Sequence, residues 1–267
     1  MNLVICGDSF NVGIGLKNIV RDRYSQLVAN HFHANLIMLA RGSSSNYGVF
    51  LQAQYAANLN PKPDVVIMSV TSYDRIEWLK NDVDSNQVPA NITLQNLNYH
   101  DYPPHNYPQP HHDDPLSFHL QQDSNYNPII FTEQVVALHE HLDPKHKNHY
   151  PRFDNEDQHR LRLIRDYFVD VLMYGTRHVS PIKRDYDIAL ITAGYYMLKN
   201  KGVKTIVMSD DTKLSEFIPK QSILSHNWFR YAEKYPDTIG SLHANEEAHE
   251  ITAKLLIEKI NNYEKSN

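Results

Sequence analysis

Near the amino terminus an apolar run, Leu3-Val4-Ile5-Cys6, stops at Gly7-Asp8-Ser9-Phe10. A short Val/Ile-rich run ended by Gly and Asp predicts a buried strand followed by a turn, and in α/β sheets the carboxyl ends of strands are where sites assemble. Ser9 falls at that edge. A serine acts as a nucleophile when a base lies within hydrogen-bond reach, a third group orients the base, and donors face the developing oxyanion. Gly7 is expected to adopt an unusual backbone angle, turning the Ser9 hydroxyl toward a cleft with neighbouring backbone N–H groups aimed at a bound oxygen. The candidate base is His243, just ahead of a helix that starts at Asn245 with Glu246 and Glu247 in its first turn. On the tripeptide alone, an ordinary Asx or Ser turn competes with the nucleophile reading.

The elements that must position these residues can be read in order. Asn11 to Gly15 reads as loop, and Leu16, Ile19, Val20, Leu27 and Val28 follow helical spacing toward His31. Ala34 to Leu39 is a second buried strand, followed by the loop Arg41-Gly42-Ser43-Ser44-Ser45-Asn46 and a helix over about 46–58. Val65 to Val70 is the clearest strand and leads into Thr71-Ser72-Tyr73-Asp74-Arg75. Strands and helices alternating with short connections predict a three-layer α/β/α sandwich around a central parallel sheet.

The alternation breaks at about 80–150, a stretch rich in Asn, His, Tyr, Pro and Asp with Tyr102 to Pro115 at its centre. Prolines at that density exclude helix and central strand, so the segment reads as an insertion after the third strand, at the rim of the site. Helical pattern returns with Leu161, Ile164, Phe168 and Leu172, and again with Ile188, Ile191, Tyr195 and Leu198, closed by Gly202. Lys204 to Met208 is a fourth strand, and the last helix is expected to bury Ala248, Ile251 and Leu255 with His249 at the surface or an interface. Between Glu216 and Tyr235 only a short helix around Phe229 and Tyr231 is suggested.

Composition narrows the function. The chain has 267 residues, a formal charge of −5 and 41% hydrophobic residues, which fits a single domain spanning 1–267 and leaves no basic footprint for nucleic acid. No apolar run reaches the roughly 20 residues a bilayer span needs, and the chain opens on a core strand, so a soluble cytoplasmic protein without membrane partners is expected. The single cysteine, Cys6, lies within the first strand and reads as a small core residue. The tract His111-His112-Asp113-Asp114, with His100, His105 and His119, has the residue types of a metal site but irregular, proline-rich spacing, so a solvated lid is the better reading and no metal or other cofactor is expected. Gly13-Ile14-Gly15 does not complete a dinucleotide fingerprint, because the third glycine position is Asn18. The G-x-S-x-G elbow of α/β-hydrolases is absent.

With Ser9 after the first strand, a glycine loop after the second, an aspartate after the third and His243 heading the last helix, the chain resembles the SGNH, or GDSL-type, hydrolase superfamily over most of its length outside the insertion. Gly7-Asp8-Ser9-Phe10 is similar to that family's first block, which implies that Ser9 is the nucleophile and that its backbone N–H helps bind the oxyanion. Gly42 is similar to the second-block glycine and implies a further N–H. The third block, Gly-x-Asn-Asp, falls on Thr71-Ser72-Tyr73-Asp74, where only Asp74 is kept, so the resemblance implies a missing donor that Asn46 or the hydroxyls of Ser72 or Tyr73 would replace. In the fifth block, Asp-x-x-His, His243 matches but Gly240 stands in the acid position and the nearest upstream acid is Asp237. The wording of the blocks is most similar to small SGNH-like proteins of tailed bacteriophages.

The resemblance implies a serine ester hydrolase acting on small or carbohydrate-borne acyl esters. Ser9 would attack, His243 serve as base and then acid, and Asp237 or a backbone carbonyl orient it. A catalytically silent protein of the same fold, binding a glycan or a protein partner through the insertion, is the alternative that the altered third and fifth blocks favour.

Overall fold

A computed structural model of the protein describes residues 1–40, 44–73, 76–79, 128–131, 181–238 and 243–263. Strands β1 (Asn2–Cys6), β2 (Asn35–Met38) and β3 (Val65–Ser69) alternate with helices α1 (Ser9–Val12), α2 (Ile19–Asp22), α3 (Tyr24–Phe32) and α4 (Asn46–Ala56). A small antiparallel pair follows, β4 (Ile76–Leu79) with β5 (Pro128–Phe131), and it brackets residues 80–127 of the insertion. Then come α5 (Pro181–Asn200), β6 (Lys204–Met208), β7 (Ile223–Leu224), α6 (Trp228–Lys234) and α7 (Glu246–Tyr263).

The central sheet has the order β2-β1-β3-β6-β7, and all its pairings are parallel. Side chains alternate between its two faces, as a strand's period of two requires. Leu3, Ile5, Val65, Ile67 and Ile206 face a core with α3 and α7, whereas Val4, Cys6, Val66, Met68 and Val207 face one with α4 and α5. This is the expected three-layer α/β/α sandwich. Val65 and Val66 are buried on opposite faces, as a strand covered on both sides demands. Cys6 is fully buried, and burial pushes its thiol well up, so it is an inert core residue.

Several local expectations are corrected. The stretch after Ser9 is one turn of helix rather than loop, stopped by Gly13 in the left-handed region at φ 95°. The predicted helix from Leu16 to His31 is broken at Arg23, whose backbone is extended (φ −64°, ψ 140°) between α2 and α3. Among the described residues three strands add to the four expected ones: β4 and β5, which pair with each other and of which β5 lies within the predicted insertion, and β7, whose two residues carry no periodicity. On α5 the predicted stripe Ile188, Ile191, Tyr195 and Leu198 is buried. On α7 the stripe is one position out of phase: Ala248, His249, Thr252, Ala253, Leu256 and Ile260 are buried, while Ile251 and Leu255 are half-buried. The helical pattern of Leu161 to Leu172 and the histidine tract around His111 lie outside the described residues. No helix among the described residues is long and apolar enough to cross a membrane.

Candidate active site

The carboxyl edge of β1 builds the first half of the site. Asp8 caps α1, its Oδ1 accepting the Phe10 N–H at 3.1 Å and the Asn11 Nδ2–H at 3.0 Å. Ser9 is therefore the first helical residue, and its backbone N–H has no hydrogen-bond partner among the described residues. Gly7 is not in the positive-φ region. Its lack of a side chain serves close approach instead, since a Cβ there would lie 2.2 Å from Asn11 Nδ2.

The second half comes from the segment before α7. Asp237 and His243 face each other as an antiparallel pair: the Asp237 N–H donates to the His243 carbonyl at 2.9 Å, and Asn245 N–H donates to the Tyr235 carbonyl at 2.9 Å. The Asp237 carboxylate also accepts the His243 backbone N–H, at 3.0 Å. Held this way, His243 places Nε2 2.8 Å from Ser9 Oγ. The Phe10 ring lies 4.7 Å from the imidazole and walls one side of it. Gly15, at φ +99°, packs against the base of the side chain: a Cβ there would meet His243 Cβ at 2.9 Å and Asp237 Cβ at 3.1 Å. The two glycines that failed as a dinucleotide fingerprint thus shape the loop that packs on the histidine.

Two of the suggested oxyanion donors are committed elsewhere. Asn46 Nδ2 donates both its hydrogens, to the Thr71 carbonyl at 3.1 Å and to Asp187 Oδ2 at 2.9 Å, so Asn46 is a buried bracket rather than a donor to substrate. The Tyr73 hydroxyl donates to Asp211 Oδ2 at 2.7 Å. Arg184 holds the same carboxylate with two bonds, Nε to Oδ2 at 2.9 Å and Nη2 to Oδ1 at 2.6 Å. Burial works to raise the Asp211 carboxyl, but the bonds from Arg184, Tyr73 and the Lys213 backbone outweigh it and hold the group at about 2. Burial first, and the bond to this anion second, push the Tyr73 phenol far up, so it stays a neutral donor to Asp211. Ser72 differs from both: it is half-buried, three residues past the end of β3, with no hydrogen-bond partner among the described residues. Gly42, Asp74 and Gly240 lie outside the described residues.

Beneath the site, sequence reasoning missed a set of buried polar residues: Asn11, Gln52, Thr71, Lys183 and Asp187. The available signal was their position on otherwise apolar faces, where an unpartnered polar group would be costly. His249, expected at the surface or an interface, is fully buried with Nδ1 accepting the Tyr24 N–H at 3.2 Å. His226 is buried beside it in a ring cluster with Trp228, centroids 4.6 Å from His226 and 4.9 Å from His249. Burial drives His226 down to about 4, and burial with neighbouring histidines takes His249 to about 3, so both are neutral imidazoles. Among the described residues no group of three or more His, Cys, Asp or Glu is placed to hold a metal ion.

A serine hydroxyl within hydrogen-bond distance of an imidazole nitrogen, beside a backbone N–H with no partner among the described residues, has the parts needed for acyl transfer. No protein-family model and no curated protein matches the chain, so the likeness to bacteriophage proteins rests on the wording of the blocks alone. Among solved structures, an acetyl xylan esterase (Est2A) from the rumen bacterium Butyrivibrio proteoclasticus is similar over 98% of this chain, with 10% sequence identity and a TM-score of 0.46; the match spans 63% of that protein's chain.

Proposed function

We propose that this protein is a serine ester hydrolase that removes acetyl or other small acyl groups from small or carbohydrate esters. The observation that carries the reading is the 2.8 Å approach of Ser9 Oγ to His243 Nε2, between residues from opposite ends of the chain. Ser9 Oγ attacks the ester carbonyl while His243 Nε2 takes its proton. The carbonyl electrons move onto oxygen, where the Ser9 N–H, the Gly42 N–H and the Ser72 hydroxyl act as donors. Collapse breaks the bond to the alcohol, which leaves with the proton from His243. Water then enters, gives its proton to His243 and releases the acid from Ser9. Asp237 orients His243 and supports its positive charge. A preference for polar substrates is supported by the insertion, whose Tyr-, His- and Asn-rich sequence departs from the edge of the sheet that carries Ser9.

One observation favours the silent, partner-binding alternative: Asn46 and Tyr73 are both spent on structural bonds, and of the suggested substitutes Ser72 is the one whose hydroxyl has no partner among the described residues. Labelling with a fluorophosphonate, followed by mapping of the modified peptide, separates the two readings.

A further inference from the structure

The two inward-facing carboxamides of α4 treat two strand ends in the same way. Gln52 Oε1 accepts the Gly7 N–H at 2.6 Å while its Nε2 donates to the Gly7 carbonyl at 3.2 Å. Asn46 Oδ1 accepts the Thr71 N–H at 2.9 Å while its Nδ2 donates to the Thr71 carbonyl at 3.1 Å. Each side chain thus holds both backbone groups of one residue, as a rung of a β-ladder would. They do so just past the place where the pairing of β1 with β3 ends, at Cys6 and Met68. The two held ends are tied to each other by the Thr71 hydroxyl, which donates to Asp8 Oδ2 at 2.7 Å. Asp8 is the cap of α1, and Ser9 is the next residue.

The brackets are themselves anchored. Gln52 Nε2 also donates to Ser44 Oγ at 3.1 Å, and Asn46 Nδ2 reaches Asp187, which Lys183 neutralises one turn earlier on α5. Asp8, Asn46, Gln52, Thr71, Lys183 and Asp187 are all buried, at 6% exposure or less. An ion pair and two amides in such a place contribute little net stability compared with well-packed apolar side chains of similar volume. What a fully bonded network of this kind supplies is a fixed geometry.

We propose that Gln52, Asn46 and Thr71, backed by Asp187, are positioning residues that set Ser9 Oγ against His243 Nε2. The inference rests on the hydrolase reading for its catalytic consequence but not for its geometry. Thr71 is the central link, because its backbone is held by Asn46 and its side chain holds Asp8. A displacement of about 1 Å at a nucleophile is enough to cost on the order of 10²-fold in rate. Loss of the Thr71 hydroxyl therefore acts on kcat through Ser9, without touching substrate.

The test compares Thr71→Val, which keeps shape and loses the hydroxyl, with Thr71→Ser, which restores it, and with Gln52→Met. Two readouts are taken on each folded variant. One is the imidazole nitrogen spectrum of His243 in protein labelled with ¹⁵N-histidine, assigned by its loss in His243→Gln. The other is turnover of p-nitrophenyl acetate. The expected result is that Thr71→Val and Gln52→Met move the Nε2 resonance toward its position in Ser9→Ala. They should also lower kcat by about 10- to 100-fold with KM little changed, and Thr71→Ser should recover both readouts. An unchanged Nε2 resonance in Thr71→Val, or in Gln52→Met if only that variant folds, overturns the proposal. So does a Thr71→Ser protein as impaired as Thr71→Val, which would mark a merely structural role. A wild-type protein that turns over no ester, but whose Nε2 resonance shifts in Thr71→Val, overturns the hydrolase reading and upholds the positioning.

Discussion

Ser9 Oγ and His243 Nε2 stand 2.8 Å apart although 234 positions separate them in the chain. The approach is built by two local devices: Asp8 caps the single turn that begins with Ser9, and Asp237 braces the backbone of His243. Each device belongs to a different end of the protein. The central sheet, the packing of α3 against α7 and the Gly15 loop bring them together.

Asp237 can be separated into brace and charge. Asn at this position keeps an oxygen that accepts the His243 N–H but removes the negative charge. If Asp237 also supports the imidazolium, Asp237→Asn lowers kcat by about 10² to 10⁴. Steady-state kinetics at neutral pH check this. A loss below about tenfold would reduce Asp237 to a brace and leave a Ser-His dyad.

Gly15 has no room for a side chain. Its φ of +99° is strained for any L residue, and a Cβ would press on His243 Cβ. Gly15→Ala is therefore expected to lower stability by about 1 to 3 kcal/mol and to lower kcat as well. Chemical denaturation and turnover measured on the same protein check it. Wild-type kcat in the variant would show that the loop yields without moving the imidazole.

The buried histidines predict acid sensitivity. His226 sits at about 4 and His249 at about 3 in the folded protein, below the ordinary value near 6.5. The unfolded chain therefore binds these protons first as pH falls. Stability is full above about 6.5 and declines between there and about 4, by on the order of 3 kcal/mol for His226 alone. Protonation of His249 at Nδ1 also removes the acceptor of the Tyr24 N–H. Denaturation midpoints measured from pH 4 to 7 should fall on the acid side, and His226→Phe should flatten the slope. The same slope in both proteins would contradict the assignment.

The order of elements was legible because the strands are continuous apolar runs and the site follows their carboxyl ends. Ser9 and His243, singled out on that basis, lie within hydrogen-bond distance of each other, and the predicted stripe of α5 is buried. The errors have physical causes. Asn46 reads as a substitute for the donor missing from the third block, yet its amide hydrogens are held by Thr71 and Asp187. His249 shifted the reading of α7 by one position, since a histidine on an apolar face reads as surface until its partner, the Tyr24 N–H, is known. Arg23 breaks a helix whose spacing looks continuous, because its extended backbone makes it at once the end of α2 and the start of α3. The network of Gln52, Thr71 and Asp187 depends on contacts between distant elements, which no local pattern records.

Acyl selectivity tests the polar character given to the site. An apolar channel would gain about 1 to 3 kcal/mol per added methylene. The insertion from Tyr99 to Asn127 is instead rich in Tyr, His and Asn. Turnover of p-nitrophenyl acetate is expected to exceed that of the palmitate. Replacing Tyr99 to Asn127 by a short Gly/Ser linker should spare the fold and acetate turnover while selectivity for sugar acetates is lost. A preference for palmitate, or loss of the circular dichroism spectrum in the shortened protein, would contradict this role.

The nucleophile itself is tested by treating the folded protein with a fluorophosphonate probe and mapping the modified peptide. The account predicts a single adduct on Ser9 that is absent after denaturation and in His243→Ala, with Ser9→Ala lowering p-nitrophenyl acetate turnover by about 10⁴ to 10⁶ while the fold is kept. A folded wild-type protein left unlabelled at Ser9, or a purified Ser9→Ala variant with undiminished turnover, would contradict it.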